Sequence, residues 1–414
     1  MEYKPRYLVM VTASANNNKY YKQIPNADGQ TWTAEYGRVG NAPQKATYYM
    51  KDWDKKYREK IKKGYVDQTD LAEDLMQAEK PKNEIQYKVI ENKIIAEIVD
   101  RLQAMARDAI QRNYTIKSDK VTQAMVDEAQ NLITELADMS KNTSDKSADK
   151  DLKDFNDKLL KLFTTIPRKM SNVNQHLAKS NKDFNKILTI EQDLLDVMRG
   201  QVVQHVAAEE DSSAEKLDIT ILEKLGLEFE ECNNEDIAII RTALGNSSDK
   251  FKRAWRVKNI KTQERFDKFV KENNIEDIKL LFHGSRNENW WSIIQTGLVL
   301  RPTNAIITGK MFGYGLYYAP KAQKSIGYTS LQGSYWTGGG SKNGFMALMQ
   351  VAYGKPYNVD RFDSKYYNFN YEALQKACPG ANCLHAHAGE MLRNDEIIVY
   401  KEEQCSIKYL IELE

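Results

Sequence analysis

The spacing of apolar residues changes twice along the 414-residue chain. At the start the period is two. Residues 7–12 and 31–39 alternate β-branched or aromatic side chains with polar ones, around the turn-rich Pro25-Asn26-Ala27-Asp28-Gly29, and this pattern predicts strands. A basic helix over roughly 46–62 is expected next, stopping at Gly64. Residues 65–82 turn acidic, end in Glu79-Lys80-Pro81-Lys82, and read as a linker. From about 88 to 200 the period becomes three to four. Ile94, Ile95, Ile98, Leu102, Met105, Ala106 and Ile110 share one helical face, and Val121, Met125, Leu132, Ile133, Leu136, Leu159, Phe163, Leu188, Leu194 and Leu195 continue the stripe. The polar stretch 138–150 reads as an inter-helix loop, and the whole as a helical bundle. A second polar linker spans 207–216. Beyond it glycine and tyrosine rise, and short β-like runs appear at 281–283, 316–319, 345–353, 397–400 and 407–413. That is the pattern of an α+β domain on antiparallel sheets. The fold class expected is therefore multidomain: a small β-rich domain at 1–82, an all-α bundle at 88–206 and an α+β domain at 217–414.

Composition narrows the setting. No apolar run approaches the ~18 residues that span a membrane, and the N-terminus lacks the basic start and apolar block of a secretory signal. Four cysteines make no disulfide framework and point to a reducing interior. Net charge is only +2, but residues 1–64 hold 13 Lys/Arg against 6 Asp/Glu, with seven of the basic residues between Lys51 and Lys63. Such a patch suits a phosphate backbone or, equally, a solvated helix face.

Three pieces of the C-terminal half carry candidate chemistry. Leu281-Phe282-His283-Gly284-Ser285-Arg286 ends a strand on histidine and glycine, and a Trp-rich helix at 289–296 follows. Glycine lets a ligand reach the backbone. Gly309 to Ala319 is a glycine-punctuated loop and tyrosine strand, running on to Lys324-Ser325-Ile326-Gly327-Tyr328. Asn394-Asp395-Glu396-Ile397-Ile398-Val399-Tyr400 sets a carboxylate at the mouth of an apolar strand. Taken singly, each has an ordinary reading as a structural histidine, core aromatics or a solvated glutamate.

Taken in order, the three pieces resemble the motifs of the poly(ADP-ribose) polymerase family: its His-Gly-Ser, its Gly-x-Tyr strand with downstream Lys-Ser-x-x-Tyr, and its Asn-Asp-Glu strand. The resemblance covers about 217–414, including residues 225–244 and a 297–313 loop like the family's donor-site loop. It implies NAD⁺ as substrate. His283 would hydrogen-bond the adenosine ribose. The Gly284 backbone and Ser325 hydroxyl would hold the nicotinamide carboxamide, with Ser285 beside them. Tyr328 would stack on the nicotinamide ring and Tyr317 close the other side. Glu396 would bind the nicotinamide ribose and orient the acceptor hydroxyl, stabilising positive charge on the ribose, and Lys324 would assist acceptor placement. A glutamate at the third position is the form expected of chain-elongating members. Val299 stands where Arg is expected, with Arg301 two residues on, and Tyr318 replaces a usual Phe.

Asn18-Lys19-Tyr20-Tyr21 and Tyr36-Gly37-Arg38-Val39-Gly40 are similar to a WGR domain over roughly 5–80, with Tyr36 in place of the tryptophan. By that resemblance the module recognises DNA ends or nicks: Tyr36 stacks near a strand end, Arg38 meets phosphate and Lys19 lies alongside. Residues 88–205, through Leu162-Phe163-Thr164-Thr165-Ile166-Pro167, resemble the family's helical regulatory domain, which would cover the NAD⁺ site until DNA binding loosens it. Cys378, Cys383, His385 and His387 crowd within ten residues, too compressed for the usual zinc patterns, and no metal is expected. The expected activity is DNA-break-stimulated transfer of ADP-ribose to proteins, the chain itself included, with elongation. A mono-transferase, a catalytically silent DNA-end binder and an RNA 2′-phosphate-removing relative are the alternatives. The many Lys, Asn, Ile and Tyr residues suggest an AT-rich genome, and no compact basic run typical of a nuclear address is seen, so a bacterial cytoplasm is expected, or a nucleus if the source is eukaryotic, without membrane association.

Overall fold

The computed structural model describes residues 3–70, 87–114, 121–141, 148–209, 218–300, 311–335, 337–390 and 392–414. Residues 71–82 and 210–216 of the two expected linkers, and Arg301, lie outside them. Two units emerge, Met1–Glu84 with Arg107–His205, and Ile85–Ala106 with Val206–Glu414.

In the first unit, strands β1 (Arg6–Thr12), β2 (Asn17–Pro25), β3 (Thr31–Arg38), β4 (Gln44–Tyr49) and β5 (Val66–Asp67) form an antiparallel sheet in the order β4-β3-β2-β1-β5. Helix α1 (Trp53–Lys62) lies between β4 and β5 in sequence. Two differences from the sequence reading stand out. Residues 46–49, expected as the start of the helix, belong instead to the strand at 44–49: Tyr48 stacks on Trp32 with centroids 4.9 Å apart, and Lys45 pairs with Glu35 across the strands. The basic run at 51–63 hid the β-prone Thr47-Tyr48-Tyr49 before it. Strand β2 was also hidden, because two of its buried positions are polar. Asn18 and Gln23 are fully buried and donate their amides to the carbonyls of Arg168 and Trp53. Leu8, Met10, Tyr21, Trp32, Ala34, Trp53 and Tyr65 make the core on the helix side. Truncating a residue as buried as Trp32 to Ala would cost about 3–5 kcal/mol.

Helices α2 (Lys93–Asn113), α3 (Gln123–Lys141), α4 (Ala148–Thr165) and α5 (Phe184–Glu209) follow. They consume both ends of the expected 138–150 loop and the first residues of the 207–216 linker. Their apolar stripe is buried as expected, apart from Met105, which is half-buried, and Ile94, which is exposed at the start of α2. Phe155 and Phe184 stack at 3.8 Å and join α4 to α5. Among the described residues no helix is long and apolar enough to cross a membrane. The division between the units falls inside α2, and its first two thirds belong with the second unit. There Arg101 donates two hydrogen bonds to the fully buried Glu412, and Glu97 pairs with Arg253.

The second unit holds helix α6 (Ile221–Leu225), strand β6 (Leu227–Glu231), helix α7 (Asn234–Leu244), strand β7 (Phe251–Asn259), helix α8 (Ile260–Glu272) and strand β8 (Ile278–Gly284). After them come helix α9 (Trp290–Thr296), strand β9 (Leu316–Tyr318), helix α10 (Ala322–Ile326), strands β10 (Gly344–Ala352) and β11 (Pro356–Val359), helix α11 (Tyr371–Ala377), and strands β12 (Cys383–Ala386), β13 (Glu396–Val399) and β14 (Cys405–Leu413). One sheet runs β6-β7-β14-β10-β8, antiparallel throughout. The other runs β11-β12-β13-β9, with a parallel pair at β11–β12. Backbone hydrogen bonds between Phe282 and Ala319, 2.8 and 3.0 Å, sew the β8 edge to the end of β9. The central strands β10 and β14 are buried on both faces and mostly apolar, Glu412 of β14 being held by arginines.

Candidate active site

The seam between the two sheets positions the His-Gly-Ser motif and the second motif from Tyr317 on. His283 sits one residue from the end of β8, opposite Ala347 of β10. Its Nδ1–H donates to the Tyr317 carbonyl oxygen at 3.1 Å, which ties the ring to β9 and sets its neutral tautomer. Gly284 comes next, and a side chain is impossible there: a Cβ would lie 2.0 Å from the Ser325 carbonyl oxygen. The missing side chain lets α10 seat directly on the strand and brings Ser325 against Gly284. Tyr328 follows within a turn, its N–H donating to Ser325 O at 3.0 Å. Ser285 is turned the other way, its Oγ accepting from Asn289 Nδ2 at 3.1 Å at the start of α9.

Strand β13 brings in the carboxylate. Ile398 pairs with Tyr317, so Tyr317, Ile398 and Glu396 share one face of the second sheet. Glu396 meets Lys324 of α10, with Nζ 2.6 Å from Oε1, and both side chains are mostly buried. Burial first, and then the Glu396 carboxylate, push the Tyr328 phenol up to about 12 and the Tyr317 phenol well above its usual range. Both rings are therefore neutral walls at physiological pH. The Tyr317 hydroxyl accepts from the Phe312 N–H and donates to the Gly313 carbonyl, anchoring the preceding loop. Gly313 has φ of +74°, and a Cβ there would lie 2.1 Å from Phe369 O. Tyr318 lies behind the site, its ring 6.0 Å from His283. The result is a fixed carboxylate with one ammonium partner and two neutral phenols. Such a constellation favours a cation developing beside it, because the dipoles and charge need no rearrangement during the reaction.

The residues expected at DNA are arranged differently. Lys19 is exposed and pairs across the strands with Arg38. Tyr36 is half-buried beside Tyr21, with centroids 6.1 Å apart, and Lys60 lies over both rings. Arg38, expected to face phosphate, instead gives its guanidinium to carbonyl oxygens: Asn16 O, Met170 O and Ser171 O, each at 2.9 Å. The fork that suits phosphate suits paired carbonyls as well, and residues 170–171 fold against the strand end. The exposed cations nearby are Lys51, Lys55, Arg58, Lys62 and Lys63 on and beside α1.

Sequence reasoning missed one cluster. His385, His387 and Asp395 bring donor atoms within 4.8 Å of one another, whereas Cys378 and Cys383 lie outside it. The signal was the alternate spacing of 385 and 387 at the end of one strand, with a carboxylate just before its antiparallel neighbour.

The profile of the poly(ADP-ribose) polymerase catalytic domain matches residues 234–414, and that of the WGR domain matches residues 4–71. A putative poly(ADP-ribose) polymerase-like protein, 100L, of invertebrate iridescent virus 6 is 34% identical over 194 residues, 45% of this chain and 97% of the relative. A second protein of that virus, the uncharacterized 101L, is 31% identical over 200 residues, 48% of this chain and 78% of its own. Poly(ADP-ribose) polymerase 2-B of rice is 34% identical over 133 residues, 30% of this chain and only 20% of the relative.

Proposed function

Because this chain belongs to the poly(ADP-ribose) polymerase family and is thereby an ADP-ribosyltransferase with NAD⁺ as substrate, we propose that it elongates poly(ADP-ribose) on protein acceptors, itself included, when DNA ends or nicks are present. The observation that carries this reading is Glu396, fixed at the mouth of β13 on the same face as Tyr317 and paired with Lys324. His283 takes the adenosine ribose, and the Gly284 backbone and Ser325 hydroxyl take the carboxamide, with Ser285 beside them. Tyr317 and Tyr328 enclose the nicotinamide ring. The bond that breaks joins the ribose carbon to the nicotinamide nitrogen, and its electron pair leaves with nicotinamide. The acceptor oxygen bonds to the same carbon and loses its proton. Glu396 stabilises the ribose cation between these events and holds the acceptor in line.

The division of labour we assign is DNA sensing in residues 1–82, restraint in 88–206 and transfer in 217–414. DNA meets the exposed cations of α1 with Lys19 and Tyr36. Arg38 is reassigned to holding residues 170–171. A signal from DNA then shifts a local unfolding equilibrium of the helices.

The test is purified full-length chain with labelled NAD⁺, with and without a nicked or 5′-phosphorylated duplex, beside Glu396→Gln. A high-molecular-weight smear that needs DNA, reduced in the variant to a single unit or nothing, is the expected result. A sharp band insensitive to DNA would leave a mono-transferase and remove both elongation and DNA sensing.

A further inference from the structure

The strand pair that carries Glu396 has a second face, and that face holds a different set of donors. Ala386 pairs with Glu396, and His385 pairs with Ile397. Side chains alternate across the sheet, so His385, His387 and Asp395 all lie on the face away from Glu396. Asp395 immediately precedes the catalytic glutamate, and its Oδ2 is the point on which the other two converge. His385 Nε2 lies 2.9 Å from it and His387 Nδ1 3.6 Å. The imidazole rings stand 4.1 Å apart, tilted by 32°.

The outward nitrogens already have partners. His387 Nε2–H donates to Asn358 Oδ1 at 2.9 Å, which leaves the Nδ1 lone pair pointing inward at a carboxylate. His385 Nδ1 lies 2.7 Å from the Tyr353 hydroxyl, a group that donates or accepts as the ring requires. The other carboxylate oxygen, Asp395 Oδ1, accepts the Ala388 N–H at 2.8 Å. The outer atoms are thus tied to the scaffold while the inner atoms crowd around one point. An inward lone pair facing a carboxylate oxygen is repulsive unless a proton or a metal ion stands between them.

We propose that His385 Nε2, His387 Nδ1 and Asp395 Oδ2 form a binding site for one divalent transition metal of the zinc class, on the face of the sheet opposite the catalytic glutamate. The arithmetic fits. Ligands at about 2.0–2.1 Å from a tetrahedral ion stand about 3.3 Å apart, between the two distances measured here. Two imidazoles and one carboxylate suit zinc, cobalt or nickel rather than magnesium or calcium. Metal-bound histidines characteristically donate the remaining ring N–H to an oxygen acceptor, the arrangement that Asn358 and Tyr353 provide. In the metal-bound form His385 carries its proton on Nδ1 and donates to Tyr353. All three ligands keep some solvent exposure, so water completes the shell. The ion would cross-link the ends of β12 and β13, holding the strand from which Glu396 projects. This site is independent of the elongation and DNA-sensing proposals.

The experiment is titration of the untagged full-length chain, stripped with chelator, with Co²⁺ and then Zn²⁺. One Co²⁺ per chain is expected, with visible d–d bands of nitrogen and oxygen ligation that Zn²⁺ bleaches and Mg²⁺ does not. His387→Ala should lose the bands and weaken binding at least tenfold while keeping the chelator-treated wild type's circular dichroism. Asp395→Asn should do the same. Zinc should raise the Tm of the wild type and leave that of His387→Ala unchanged. Failure to bind at millimolar Co²⁺, or spectra unaltered by both substitutions, would overturn the site. An intense near-ultraviolet sulfur-to-cobalt band would also overturn it, because it would move the ion to a cysteine.

Discussion

Two ion pairs of similar chemistry sit in the two units, and only one of them is in the candidate catalytic site. In the first unit Arg168 and Glu191 are hydrogen-bonded and almost fully buried, 4% and 7% exposed. The rings of Tyr114 and Phe163 lie 5.2 and 5.8 Å from the guanidinium. In the second unit Lys324 and Glu396 are a little more open, 14% and 12% exposed, and are flanked by phenols and by the backbone of a strand end. The first pair is closed in by side chains of the bundle and by the Asn18 amide on the Arg168 carbonyl. The second joins α10 to the first residue of β13. Burial and charge alone do not separate the bundle pair from the pair proposed to be catalytic. The difference is in what flanks each pair: apolar bundle side chains around Arg168 and Glu191, neutral phenols and a strand end around Lys324 and Glu396.

The largest effect on stability should come from Arg168→Met. Removing one partner of a buried pair leaves an uncompensated charge and costs about 3–5 kcal/mol. Burial already pushes the Glu191 carboxyl above its usual range even with Arg168 beside it. Without Arg168 it would take up a proton, so the loss should be smaller at pH 5 than at pH 7. Denaturant unfolding of the full-length chain, with hydrogen exchange reporting on residues 107–205, measures both. A loss below about 1 kcal/mol at pH 7 would mean that the bundle admits water to Glu191 and that the contrast with the catalytic pair is overstated.

Glu396→Gln should behave in the opposite way. It keeps the shape and removes the charge, so turnover should fall about 10²–10³-fold, roughly 2.7–4 kcal/mol of transition-state stabilisation. The unfolding midpoint should stay unchanged or rise, since catalytic groups commonly reduce stability. Single-turnover transfer and thermal unfolding on the same preparations read both quantities. A variant that loses activity only in proportion to lost fold would make Glu396 a structural residue like Glu191.

How much of this contrast was legible beforehand follows from how each region encodes its structure. The catalytic unit was readable because its motifs combine an order with backbone requirements: Gly284 cannot carry a Cβ, Gly313 needs positive φ, and β13 is a strict apolar run behind a glutamate. The bundle was readable from periodicity alone. The N-terminal sheet was partly hidden, because Asn18 and Gln23 occupy buried positions of β2 and a basic run followed the β-prone residues of β4. The destination of Arg38 was not legible, since a guanidinium suits phosphate and carbonyl pairs alike and its carbonyl partners come from residues 132 and 133 positions away. His385, His387 and Asp395 were split between two strands, so only the register could unite them.

Acid should act on the second unit in a definite window. Burial pushes the Asp236 and Glu412 carboxyls up, but hydrogen bonds from Arg256 and Tyr409 to Asp236, and from Arg101 and Arg253 to Glu412, outweigh it. Both end below their usual range. A depressed folded pKa gives stability that is present above the unfolded value, about 3.9 for Asp and 4.3 for Glu. It is lost as pH falls through the lower folded value. These two carboxylates should therefore cost no stability from pH 7 to about 4.5 and cost it below pH 4, by at most about 1.4 kcal/mol per pH unit each, while the imidazole of His385, lowered by burial, adds a loss that begins below about pH 6.5. Thermal scans across this range check it, and Glu412→Gln should flatten part of the slope. A midpoint that falls between pH 6 and 5 by more than one histidine allows would point to other groups.

The smallest effect, and the one that separates the two assignments of Arg38, concerns salt. If Arg38 met phosphate, Arg38→Ala would reduce the slope of log affinity for nicked DNA against log salt by about one. The geometry here gives the guanidinium to three backbone carbonyls of its own unit. The slope should therefore stay the same, while hydrogen exchange near residues 170–171 speeds up and the unit loses about 1–2 kcal/mol, the scale of a few partly exposed charge-assisted hydrogen bonds. Lys55→Gln with Lys62→Gln on the exposed face of α1 should do the reverse, lowering the slope by up to about two without changing exchange at 170–171. A slope that responds to Arg38 and not to α1 would return the arginine to the DNA and leave the carbonyl contacts as its resting arrangement only.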